Sequence, residues 1–187
     1  MSGRVEIINI ALARLGESPI QSLEEGSAPA NAAKLLYDAE RRATLREYPW
    51  NFALKQATLV RSEQDAADFR YAYALPGDCL RAVRLRGADK SRATCFSVRG
   101  DYLYADETGV TLEYVADITD GDRFDSKFIE AFSYRLASAL AMPVKGSPEL
   151  MGNFMNLYKT MVSDAAVQSA REERTQISDN PYIEARY

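Results

Sequence analysis

Asp117, Asp120, Asp122 and Asp125 are the best candidates in this chain for metal ligation or acid–base chemistry. A calcium loop of the EF-hand type needs fixed ligand spacing, a central glycine and a closing glutamate, and no register of this stretch supplies them. The four acids therefore read as turn residues and helix-capping groups. Two suitably spaced carboxylates hydrolyse a glycosidic bond without histidine, but spacing selects no pair among the 27 acidic residues. Histidine is absent, which excludes a Ser-His-Asp triad, a Cys-His dyad and any His-ligated zinc or iron centre built from this chain alone. Cys79 and Cys95 match no redox or zinc spacing. They pair if their strands lie side by side, and otherwise read as small buried hydrophobes. There is no G-x-G-x-x-G, no G-x-S-x-G elbow, and Gly87-Ala88-Asp89-Lys90-Ser91 lacks the length and second glycine of a phosphate loop. Neither a catalytic residue nor a cofactor or metal site is expected.

Surfaces are more informative. Arg81, Arg84, Arg86, Lys90, Arg92 and Arg99 cluster in the middle of the chain, and Arg84 and Arg86 share one strand face. They form either the solvated side of a sheet or a surface for an acidic partner or nucleic acid, and aromatic residues do not interleave with them as a single-strand platform requires. The formal net charge of -4 argues against a protein devoted to neutralising phosphate. At the far end, Tyr182, Ile183 and Tyr187 follow Asn180-Pro181 on a segment without period. They either fold back on their own domain or dock onto another subunit. Tyr158 and Val162, off the main stripe of the last helix, carry the same ambiguity.

The elements that must position these groups follow from periodicity. Val5, Ile8, Leu12 and Leu15 predict a helix over 3–15, ended by Gly16. A second starts near Ser27 with Pro29 in its first turn, buries Ala32, Leu35, Leu36, Ala39 and Ala43, turns Lys34, Asp38, Arg41 and Arg42 outward, and stops at Pro49. From about Trp50, short β-branched and aromatic runs over 57–61, 69–75, 80–86, 94–98, 102–105 and 110–115 alternate with turn residues, which predicts an antiparallel sheet of hairpins. Phe128, Phe132, Leu136 and Leu140 mark a third helix capped by Asp122 or Asp125 and closed by Met142-Pro143. Ser147-Pro148-Glu149 starts a fourth, with Leu150, Phe154, Leu157, Met161 and Ala165 on one face toward Arg174. The fold class is α+β: a helical body from residues 1–52 and 122–175, a β-rich insert over 53–121, and an extended C-terminal arm over 176–187. A 47% hydrophobic fraction suffices for a core without disulfides or metal. No basic leader or spanning apolar run is seen, so a cytoplasmic site of synthesis and reduced thiols are expected, with no membrane contact.

Order and wording carry the reading further. Ile7-Ile8-Asn9-Ile10-Ala11-Leu12-Ala13-Arg14-Leu15-Gly16-Glu17-Ser18-Pro19-Ile20 resembles the opening of the tail tubular protein A family of short-tailed bacteriophages. Ala30-Asn31-Ala32-Ala33 through Tyr48-Pro49-Trp50-Asn51-Phe52 resembles that family's next block, in which an aromatic pair follows the helix. Val98-Arg99-Gly100-Asp101-Tyr102-Leu103-Tyr104 is similar to its glycine-centred hairpin, and the helix pair joined by Gly146-Ser147-Pro148-Glu149 to its C-terminal half. The resemblance implies a head-to-tail adaptor of the virion neck, assembled in the host cytoplasm. It implies a usually dodecameric ring of this chain between the portal protein and the tail nozzle protein, near any tail fibre or spike, extending the channel for double-stranded DNA without binding it specifically. It also makes the arm, with Ile177, Asp179, Asn180, Pro181, Tyr182, Ile183 and Tyr187, the surface for the portal or a neighbouring subunit. Arg81, Arg84, Arg86 and Arg92 remain a surface for an acidic partner. The readings left beside it are a carboxylate-dependent cell-wall or polysaccharide hydrolase, and a cytoplasmic module binding through the basic face.

Overall fold

The computed structural model describes residues 2–66, 68–88 and 93–178. Helix α1 (Ser2–Arg14) buries Ile8 and Leu12 completely, and Gly16 turns the chain out of it at φ +68°, a conformation that a side chain would strain. Asn9 ties the following loop back onto the helix: its side-chain oxygen accepts from Ile20 N (2.9 Å) and its amide donates to Ile20 O (3.0 Å).

Helix α2 (Ala28–Glu47) starts as the sequence predicts, with Ser27 Oγ accepting from Ala30 N at 3.3 Å. Its buried stripe differs. Ala30, Ala33, Tyr37, Arg41, Thr44 and Leu45 are inside, whereas Leu35 is 81% exposed and Ala39 also faces solvent. Both sets recur at helical spacing, so periodicity alone does not choose between them. Tyr37 is the one aromatic side chain of α2, and it settles edge-on against Phe132 at 5.1 Å. Arg41, expected outside, is 1% exposed and rotates inward with it.

Helix α3 (Ser126–Leu140) is capped by Asp125, not Asp122: the Asp125 carboxylate accepts from Phe128 N at 2.7 Å. Phe128, Phe132, Leu136 and Leu140 are buried as their spacing requires. The helix does not close at Met142-Pro143. It widens into a π turn over Ala141–Lys145 and ends at Gly146, φ +62°. The wider turn accommodates the proline ring, which an α-helical turn would meet with a clash. Ser147 Oγ then caps α4 (Pro148–Ser178), accepting from Leu150 N at 3.2 Å. At 1.5 Å per residue α4 is about 46 Å long, and residues 176–178 belong to it rather than to an aperiodic arm. Its inner face is centred on Tyr158, 1% exposed, with Val162 half-buried beside it; Leu157 is 42% exposed. Leu150, Phe154, Met161 and Ala165 of the expected stripe are half-buried, so the inner face takes in Tyr158 and Val162 beside them and leaves out Leu157.

The strands form two antiparallel sheets. One has the order β1-β7-β4, from Leu54–Thr58, Thr111–Ala116 and Cys79–Arg86. The other has the order β2-β3-β6-β5, from Arg61–Ser62, Tyr71–Ala74, Tyr102–Ala105 and Phe96–Arg99. The single run expected over 57–61 is divided. Its start joins β1, which begins at Leu54, and its end joins β2 in the other sheet. Leu59 lies between them and is buried. The chain divides into two compact units, one of residues up to Arg41 with those from Phe124 onward, the other Arg42–Arg123.

Candidate interaction surfaces

In the helical unit a polar clamp joins three helices. Arg135 Nε of α3 donates to Glu40 Oε2 of α2 at 2.6 Å, and its guanidinium lies 5.1 Å from the Tyr158 ring centroid of α4. The two charged side chains are 19% and 22% exposed. Burial disfavours the Arg135 charge, but hydrogen bonds to Glu40 and Tyr158 overcome this and raise its pKa above the ordinary value. Arg14 stacks on Tyr134 at 3.4 Å, and Lys145 pairs with Glu17 at 2.7 Å. Arg135 thus touches both α2 and α4 from its place on α3.

Of the aspartates expected to cap and turn, Asp120 and Asp125 do so, while Asp117 forms an ion pair instead. Asp117 accepts from Arg42 Nε at 2.9 Å, Asp120 accepts from Asp122 N at 3.1 Å, and Asp125 caps α3. Among the described residues no three of His, Cys, Asp and Glu gather to hold a metal ion. The Asp78 carboxylate joins two strands of the three-stranded sheet. It accepts from Lys55 Nζ at 2.7 Å and the Tyr114 hydroxyl at 3.0 Å, which hold its pKa below the ordinary range. Burial, reinforced by that bond, pushes the Tyr114 phenol up to about 12. Cys79 is half-buried, Cys95 is exposed, and both are free thiols, so neither the disulfide nor the pair of buried hydrophobes is found.

Strand β4 brings part of the basic cluster together by a device that spacing does not reveal. Its register against β7 shifts at Cys79/Arg81 and again at Ala82/Arg84. Leu80 and Val83 are thereby extra residues, and Arg81, Arg84 and Arg86 stand opposite Val115, Glu113 and Thr111. Those are alternate positions of β7, so all three arginines fall on one side of the sheet. Arg84 is exposed, Arg81 and Arg86 are half-buried, and Glu113 lies directly across from Arg84. Arg99 pairs with Asp68 at 3.4 Å; Lys90 and Arg92 lie outside the described residues. The sequence reading missed Arg46, in the last turn of α2, whose guanidinium donates to Leu80 O at 2.6 Å. Arg81 returns the contact, donating to Glu47 O at 3.1 Å. A cation in a helix's last turn was the available signal, but its partner is created by a bulge.

Apolar side chains left in solvent are the remaining feature. Leu35 on α2, and Met151, Leu157 and Val167 on α4, are 81%, 41%, 42% and 49% exposed. Ile177 falls within α4, whereas Asp179, Asn180, Pro181, Tyr182, Ile183 and Tyr187 lie outside the described residues. Among the described residues no helix is long and apolar enough to cross a membrane.

No curated protein matches the chain. The family model for the tail tubular protein matches residues 5–118, more than half of the 187, and takes in α1, α2 and both sheets. The chain therefore belongs to the tail tubular protein family and is a structural protein of the phage tail.

Proposed function

We propose that this protein is a non-catalytic adaptor whose copies form a ring between portal and tail nozzle, extending the channel through which the genome leaves. Membership of the tail tubular family carries the reading. The exposed apolar side chains Leu35 on α2 and Met151, Leu157 and Val167 on α4 are, on this reading, the ones available for subunit contacts. In this reading the long α4 carries residues 176–187 to the portal, with Ile177, Tyr182, Ile183 and Tyr187 as the apolar anchors. The β-rich unit is available to distal tail parts through Arg81, Arg84, Arg86 and Arg92. A net charge of -4 suits a wall past which DNA slides without adhering.

The test is electron microscopy of the protein mixed with portal particles, using the full chain and a form lacking residues 176–187. The full chain is expected to add a ring to the portal, and the truncated chain to remain folded and fail to join it. A truncated chain that joins normally overturns the role of the arm. A full chain that never associates with portal particles overturns the adaptor.

A further inference from the structure

Strands β4 and β5 begin together and then part. The bridge between Arg86 and Ala93, and the bond from Thr94 N to Leu85 O at 2.9 Å, join them at one end. Beyond it, β4 pairs only into its own sheet and β5 only into the other, each as an edge strand. The extra residues Leu80 and Val83 bend β4 just where the strands separate. A notch of about 450 Å³ opens there, lined by Arg46, Arg81 and Cys79 on one side and by Leu75, Phe96 and Val98 on the other.

Two guanidiniums share this notch without a counter-ion. Each gives one N–H to a main-chain carbonyl, Arg46 to Leu80 and Arg81 to Glu47, and among the described residues no carboxylate pairs with either. Asp78 is committed to Lys55 and Tyr114. Burial and the neighbouring Asp78 charge raise the Cys79 pKa, so the thiol stays neutral and offers no compensation. Burial, and then the nearby Arg46 charge, lower the pKa of Arg81. Like charges brought together in a partly desolvated recess favour an anion between them.

We propose that the Arg46–Arg81 notch binds a carboxylate side chain of an extended, acidic segment from a partner protein. The carbonyl bonds fix both guanidiniums, leaving their remaining N–H groups for an oxyanion. Leu75, Phe96 and Val98 add apolar side chains to the lining, with Val98 44% exposed on the edge strand β5. An acidic residue beside an apolar one on an added strand satisfies charge, wall and edge together. A phosphodiester would satisfy the charge alone. The proposal deepens the role given above to the β-rich unit, but its test needs neither ring nor portal.

Tetraglutamate is titrated into the full chain at low salt, with tetralysine and a 20-base-pair DNA duplex in parallel, and binding is followed through the side-chain Nε–H resonances of Arg46 and Arg81. Tetraglutamate is expected to shift both resonances, and Arg46→Gln or Arg81→Gln to weaken it about tenfold. Val98→Asp leaves the carbonyl bonds intact and is expected to weaken it as well, so the result survives if an arginine variant fails to fold. Tighter binding of the duplex through the same resonances overturns the carboxylate assignment. Unmoved resonances, or full binding by Val98→Asp, overturn the notch. A loss of binding here leaves portal association to its own assay.

Discussion

Arg135→Met in α3 examines whether the clamp, rather than apolar contact alone, couples α2 to α3. Methionine keeps the buried stem, so the change removes chiefly the guanidinium. An exposed ion pair contributes about 0–1 kcal/mol, and breaking a fully buried pair costs about 3–5 kcal/mol. With side chains 19% and 22% exposed and a 2.6 Å contact, this pair stands between those limits. The lost ion pair with Glu40 and the lost Tyr158 ring contact together cost about 2–3 kcal/mol. For a chain of this size that lowers the midpoint of the helical unfolding transition by about 5–10 °C. Glu40→Gln keeps an acceptor for Arg135 and costs about 1 kcal/mol. The double variant should lose about 1.5 kcal/mol less than the sum of the single losses, because both changes end the same ion pair. Urea denaturation followed by far-ultraviolet circular dichroism measures all four corners of the cycle. Single effects that add to within about 0.3 kcal/mol would refute a coupling of α2 to α3 through this ion pair.

Asp125→Ala, which removes the α3 cap at Phe128 N, should cost about 1 kcal/mol, whereas Asp122→Ala should change the same denaturation midpoint negligibly. The Lys55–Asp78–Tyr114 network makes stability depend on pH at both extremes. Asp78 has a lowered folded pKa, so its contribution is full above the ordinary carboxylate value near about 4 and is lost as pH falls through the folded value; Asp78→Asn should flatten that acid limb in thermal melts. Tyr114 and Tyr37 are both raised to about 12, so their contribution is full below the unfolded phenol value near about 10 and is lost as pH rises toward 12. Tyr114→Phe should reduce that alkaline loss. Leu35→Glu, on a side chain 81% exposed, should leave the monomer's stability within about 0.5 kcal/mol while abolishing ring formation on portal particles in micrographs; intact rings would remove α2 from the subunit contact.

The helices and most strands were legible because each presents one apolar face with a clear period, and because Asp125, Gly146 and Ser147-Pro148 are local signals whose chemistry does not depend on distant residues. The rest was not legible where the deciding partner is remote in sequence. The register of β4 depends on two extra residues whose consequence exists only against β7. Arg46 and Arg81 acquire meaning only when the bulge turns the Leu80 carbonyl toward α2. The limits of α3 were missed in the same way: Pro143 predicts a stop, but a π turn carries the chain to Gly146.

Helix α2 is the most instructive failure, since it bears on assembly. It carries two apolar sets, and a single chain can bury only one of them. Choosing by residue hydrophobicity favours Leu35 and Leu36. Choosing by what the cavity between neighbouring helices can hold favours Tyr37, whose ring meets Phe132 and takes Arg41 inward with it. Arg41 is thereby buried at a cost in desolvation that a lone helix would avoid by turning it outward, so contacts of the inner face as a whole must outweigh that cost. The second set does not vanish from the energetics once the first is chosen. Leu35 and Ala39 remain in water on a face they share with Asp38, Arg42 and Arg46, and burying such a leucine is worth about 1.5–3 kcal/mol wherever a partner supplies the other side. A helix that looks ambiguous to periodicity is then one with a face satisfied within the chain and a second apolar set left in water.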